Sequence, residues 1–176
     1  PVEPAVEQAE KKEARLLFQD RRLLLVDDNH VNLLIAEEYL SRYGFAIVTA
    51  TNGIKAVKAA EDGDFDIIFM DCQMPEMDGY EATGIIRRKM ADGTIRRAPI
   101  LALTANALKG DRERCLEAGM DDFLSKPLQD AALMGVFDRL IEMPDFEWLG
   151  LPIQDAGTPR ANAAPQMVEL ASPGRA

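Results

Sequence analysis

The chain has 176 residues, a formal net charge of −10, and a composition that is 47% hydrophobic and 28% charged. That length suits one domain with some extra chain and leaves little room for a large multidomain enzyme, while the apolar fraction is enough for a real core. No apolar run approaches the roughly 20 residues needed to span a bilayer, and no secretory signal is visible.

Two cysteines, Cys72 and Cys115, argue against a disulfide scaffold and fit a reducing compartment. A single histidine, His30, excludes a metal site built from several histidines of this chain. The acidic balance argues against non-specific nucleic-acid binding. The chain begins at Pro1, the expected mark of a processed chain or of a piece of a longer protein.

Residues 1–19 read as a linker that turns helical, with Leu16, Leu17 and Phe18 placed to dock on the domain or on a neighbour. Leu23 to Val26 form an apolar run followed at once by Asp27 and Asp28, the pattern of a strand buried on both faces. Val31, Leu34, Ile35, Glu38 and Tyr39 recur at helical spacing, with Asn29 placed to cap that helix and Gly44 to stop it. Phe45 to Ala50 predicts a second strand, and Ile54, Val57 and Lys58 a second helix. Ile67 to Met70 is a third strand ending at Asp71, and Tyr80 to Met90 is helical with Ile85 and Ile86 inward. Ile100 to Leu103 follows Pro99 as a fourth strand, and Leu108 to Ala118 is a helix capped by Gly119. Phe123 to Ser125 is the fifth strand, before a helix from about Gln129 to Ile141. Residues 142–176 carry prolines too often for a helix or strand and are expected to be a flexible tail, with Phe146, Trp148 and Leu149 packing locally.

Strands and helices in alternation predict a parallel sheet covered on both faces, a doubly wound α/β domain. Glycine-rich dinucleotide and phosphate-loop signatures are absent. Ligands of such sheets bind beyond the carboxyl ends of the strands. There the sequence puts Asp27, Asp28, Asp71, Thr104 and Lys126, each after an apolar run. Three carboxylates in one crevice need a cation, and their hard oxygens favour Mg²⁺, with Mn²⁺ sharing that preference. Asp71, at the end of the central run, is the best placed phosphoryl acceptor, giving an acyl phosphate. Cys72 reads as a structural cysteine turned into the core.

The order and separation of four segments carry a resemblance: Leu24–Asn29, Met70–Gly79, Leu103–Ala105 and Lys126–Pro127. Together they resemble a receiver domain of the two-component and phosphorelay families over about residues 20–141. The resemblance implies a five-stranded parallel sheet in the order 2-1-3-4-5 with five helices. It implies phosphorylation of Asp71 from a partner phosphohistidine, with Asp27, Asp28, Asp71 and the backbone carbonyl of Gln73 supporting Mg²⁺. Thr104 and Lys126 would engage the phosphoryl oxygens, and Lys126–Pro127 is usually cis in this family. Phe123 stands at the switch-aromatic position, as sheet packing or as a reporter of Thr104. The fourth helix, fifth strand and fifth helix form the usual communication face, through which two copies can also associate. Gln73 and Asn106 either orient water and tune the phosphate lifetime or simply hydrogen-bond at the surface. His30 reads as a solvent-facing helix residue.

The segments are most similar to receivers of hybrid sensor histidine kinases, expected in a bacterial setting. The implied partners are a histidine kinase core or a histidine phosphotransfer protein, with no direct nucleic-acid or membrane contact. The fragment would be cytoplasmic, whether or not its parent is membrane-anchored, and is not itself a kinase. Within the family the rival is a single-domain response regulator. Outside it the rivals are an aspartate-dependent phosphatase, whose second acid would fall on Gln73, and an interaction module with no phosphoryl chemistry.

Overall fold

The computed structural model describes residues 18–105 and 109–141. Five parallel strands, β1 (Arg22–Val26), β2 (Ala46–Ala50), β3 (Ile67–Asp71), β4 (Ile100–Thr104) and β5 (Asp122–Ser125), lie in the order β2-β1-β3-β4-β5. Five helices alternate with them: α1 (His30–Ser41), α2 (Gly53–Asp62), α3 (Gly79–Ala91), α4 (Lys109–Ala118) and α5 (Asp130–Ile141). This is the predicted architecture and strand order. Among the described residues no helix is long and apolar enough to cross a membrane.

Side chains alternate across each strand, so the central runs feed two cores at once. Leu23, Leu25, Ile67, Phe69, Leu101 and Leu103 join Leu33, Leu40, Leu133 and Phe137 on the side of α1 and α5. Leu24, Val26, Ile68, Met70, Ile100 and Ala102 join Ala56, Ala60, Ala82, Ile86 and Cys115 on the other side. β1 and β3 pair directly, Val26 opposite Met70, and the chain turns away from them in opposite directions. The crevice above this pair holds Asp27 and Asp71.

The helix punctuation follows the sequence. Asn29 Oδ1 accepts from the Val31 and Asn32 amides at 2.8 and 3.2 Å and caps α1. Gly119, with φ of +104°, ends α4, its N–H donating to Leu116 O at 3.1 Å.

The helical spacing of α1 does not fix which of its faces turns inward. Val31, Leu34 and Ile35 are 61%, 67% and 59% exposed, and the helix instead turns Leu33 and Leu40 inward. Apolar residues occupy both sides of this helix, so spacing alone does not select the inner stripe. Phe18, assigned to the linker, belongs to the core, stacked on Phe45 with ring centroids 4.7 Å apart. The rest of the predicted linker, the 142–176 tail with Phe146, Trp148 and Leu149, and Leu108 lie outside the described residues.

Among the described residues one buried side-chain polar atom has no hydrogen-bond partner: Thr83 Oγ1 on α3. Leaving a hydroxyl unpaired in a core costs about 1–3 kcal/mol, whereas an apolar group of the same shape costs nothing there. Thr83→Val is therefore expected to raise the unfolding free energy by about 1 kcal/mol. Urea denaturation checks this, through a higher midpoint at unchanged slope.

Candidate functional site

Each polar residue of the crevice is delivered by the strand before it. Asp27 follows β1, its N–H donating to Ala50 O at 3.1 Å, and its side chain is buried. Asp71 is the last residue of β3 and equally buried. Asp28 is exposed at the mouth. Oxygens of Asp27, Asp28 and Asp71 all lie within 4.8 Å of one another. Thr104 ends β4 and is buried, and its carbonyl accepts from the Lys126 N–H at 2.8 Å.

Lys126 reaches back across the crevice. Its Nζ lies 3.0 Å from Asp27 Oδ2 and 3.3 Å from Asp71 Oδ1. The second oxygen of Asp27 accepts from the Asn29 N–H at 2.9 Å, and Asp71 Oδ1 accepts from the Gln73 N–H at 3.3 Å. The Lys126–Pro127 peptide is cis.

Burial, and then the charge of Asp27, push the Asp71 carboxyl up to about 6, against the pull of Lys126 and the Gln73 N–H. Burial alone would lower the Lys126 ammonium. Its hydrogen bond to Asp27 and the charges of Asp71 and Asp27 outweigh that and raise it. One ammonium thus serves two buried carboxylates and leaves the crevice short of positive charge. Oxygen donors with surplus negative charge suit a hard dication, so the residues present fit Mg²⁺.

The loop from Asp71 to Gly79 is held by backbone contacts that the sequence motif shows only as residue types. Gly79 N–H donates to Cys72 O at 3.0 Å, and a Cβ on Gly79 would fall 2.0 Å from Asp71 O. Met77 N–H donates to Pro75 O at 2.8 Å, which sets Glu76 at a φ of +68°. A Cβ on Gly53, the first residue of α2, would lie 2.5 Å from Met77 O. These two glycines are therefore site residues that the sequence pattern did not single out.

The remaining predicted residues divide. Phe123 is half-buried on β5, with the Arg112 guanidinium 5.8 Å from its ring centroid. The Gln73 side chain is exposed and His30 faces solvent at the start of α1. Asn106 lies outside the described residues. Cys72 is buried as expected, its thiol pushed up to about 12 by burial and by Cys115.

Residues 23–138 match the family model described as the response regulator receiver domain. The chain belongs to that family. The receiver is 42% identical over 121 residues to hybrid signal transduction histidine kinase B of Dictyostelium discoideum, covering 64% of this chain but 6% of the kinase. Of sensor kinases from two Pseudomonas species it spans 15%, and of histidine kinase 3 from Arabidopsis thaliana 14%. This spread of organisms does not support the bacterial setting expected from sequence.

Among solved structures, the receiver domain of sensor histidine kinase PA1611 from Pseudomonas aeruginosa PAO1 is 46% identical, with a TM-score of 0.61, over 70% of this chain and 99% of that one. That structure has a magnesium ion coordinated in its active site cleft. The Ssk1 receiver of Saccharomyces cerevisiae, co-crystallised with the histidine phosphotransfer protein Ypd1, is 30% identical, with a TM-score of 0.62, over 72% of this chain and 96% of that one.

Two predictions follow from the crowding around Asp71. An unfolded aspartate titrates near 3.9, so between about pH 4 and 6 the folded chain holds a proton that the unfolded chain has lost. The stability this contributes is complete below about pH 4 and disappears as pH rises through 6. In metal-free buffer, Asp71→Asn should remove that slope and raise the unfolding free energy at pH 7 by an amount on the order of 1–3 kcal/mol. Urea titrations across this pH range measure both. Gly79→Ala should lower stability by about 1–3 kcal/mol, because its methyl group meets backbone rather than a side chain that can swing away. Thermal denaturation beside the wild type checks this.

Proposed function

We propose that this receiver accepts a phosphoryl group from a partner phosphohistidine onto an Asp71 carboxylate oxygen. The observation that carries the reading is the Lys126 ammonium within 3.3 Å of Asp71 and 3.0 Å of Asp27, beside three carboxylates that share a site. Asp71 forms the new P–O bond as the P–N bond breaks, and the histidine imidazole leaves with the bonding electrons. Lys126 meets one phosphoryl oxygen and Thr104 donates its hydroxyl to another. Asp27, Asp28, Asp71 and the Gln73 carbonyl would hold Mg²⁺, or Mn²⁺ in its place. The bound metal supplies neutralisation of charge on the transferring group. Phe123 follows Thr104 when the phosphate is engaged, and Gln73 and Asn106 tune how long it survives.

The partner is a histidine kinase core or a histidine phosphotransfer protein. Its docking surface is the outward stripe of α1, Val31, Leu34 and Ile35, directly beside the crevice. Exposed apolar groups at helical spacing fit a partner helix. The likeness to a receiver crystallised with such a phosphotransfer protein supports this choice. We assign residues 20–141 as the receiver unit of a longer hybrid histidine kinase, working in the cytoplasm with or without a membrane-anchored parent. The α4–β5–α5 face carries communication and any self-association. A full-length sequence distinguishes this from a single-domain regulator.

Incubation with a small phosphodonor and Mg²⁺, followed by intact mass, should add one labile phosphoryl group to the wild type and none to Asp71→Asn. Sustained phosphomonoester turnover would instead favour a phosphatase. Leu34→Asp should slow transfer from a phosphohistidine protein at least about tenfold while leaving the small-donor reaction unchanged, since hot-spot truncations cost about 2 kcal/mol or more. Equal losses with both donors would remove α1 from the docking surface.

A further inference from the structure

The only two cysteines of the chain meet inside the fold. Cys72 Sγ and Cys115 Sγ are 3.7 Å apart, although 43 residues separate them in sequence. Both are free thiols, 2% and 1% exposed.

Their surroundings are unequal. Cys72 is fixed by its backbone, its N–H donating to Leu103 O at 3.1 Å and its carbonyl accepting from Gly79 N–H at 3.0 Å. Cys115 rides on α4, where it is the only buried residue among those whose burial is described. Beyond Cys115 the helix leans on α3 and β5, with Arg114 4.2 Å from the Tyr80 ring centroid and Arg112 over Phe123. A helix that buries so little opens locally at low cost. The same opening that frees α4 lets a small oxidant reach both sulfurs, so burial in the closed fold slows the chemistry without forbidding it.

We propose that Cys72 and Cys115 form a redox modification site, a dithiol that a peroxide converts into an intramolecular disulfide. The peroxide O–O bond breaks as Cys115 becomes a sulfenic acid, releasing one water. The Cys72 thiol then attacks that sulfur, the S–S bond forms, and the sulfenic oxygen leaves with the thiol proton as a second water. Two electrons pass from the sulfurs to the peroxide. The sulfurs close from 3.7 Å to about 2 Å, a displacement that the weakly anchored helix supplies.

The bond would fasten α4, which follows Thr104 in the chain, to the residue next to Asp71. A consequence for signalling rests on the phosphoacceptor reading. The disulfide itself does not.

The test treats the full native chain with hydrogen peroxide at low micromolar protein, then denatures it and alkylates any free thiol. The wild type should take up no alkyl group, lose the mass of two hydrogens, and yield one peptide pair linking Cys72 to Cys115. Hydrogen exchange across residues 110–118 should slow in the oxidised chain. Asp71→Asn should oxidise in the same way, which separates this result from any failure of phosphorylation. Cys115→Ser should form no internal link. Two alkylatable thiols, oxygen adducts without a crosslink, or links only between chains would each overturn the proposal. The wild-type peptide map decides it even where a variant does not fold.

Discussion

Two carboxylates buried side by side repel one another, and this crevice is built around one ammonium that makes their proximity tolerable. Lys126 stands between Asp27 and Asp71, brought there from the far side of β4. Removing ions from water is expensive, and the geometry offsets that cost only where each remaining lone pair finds a donor. Here the Asn29 and Gln73 amides supply such donors. The compensation is incomplete, as the raised Asp71 carboxyl records. A site left with surplus negative charge suits a hard dication, and the proposed phosphoacceptor role of Asp71 rests on that arrangement.

The sheet order is what makes this arrangement possible. β1 and β3 are neighbours at the point where the chain changes direction, so their ends open into a crevice instead of being covered by a connection. β4 then places Thr104 alongside, and the β5 end supplies Lys126. The apolar body of each central strand carries none of the site's polar groups, which stand at the strand's end. They hold the strand ends in register, Asp71 opposite Leu103 and Thr104 opposite Ser125.

Much of this was legible in the sequence because the signals were strong and local. Four of the apolar runs ended in a polar residue, and that punctuation located Asp27, Asp71, Thr104 and Lys126 before any coordinates. The caps at Asn29 and Gly119 were readable for the same reason: each is a property of a few adjacent residues. Three features were not. Which stripe of α1 faces inward was not legible, since Leu33 and Leu40 compete with Val31, Leu34 and Ile35 on different sides of the helix. The roles of Gly53 and Gly79 depend on backbone from another segment arriving within van der Waals reach, which spacing does not encode. The contact of Cys72 with Cys115 likewise depends on how α4 lies against α3 and β5.

The most direct test of the shared crevice is an amide NMR titration of the wild-type chain with Mg²⁺. Saturable shifts should concentrate at residues 27–29, 71–74, 104 and 126, and Asp71→Asn should abolish or greatly weaken them. Shifts scattered over the acidic surface, or a titration that Asp71→Asn leaves intact, would mean that these side chains do not form one cation-binding pocket.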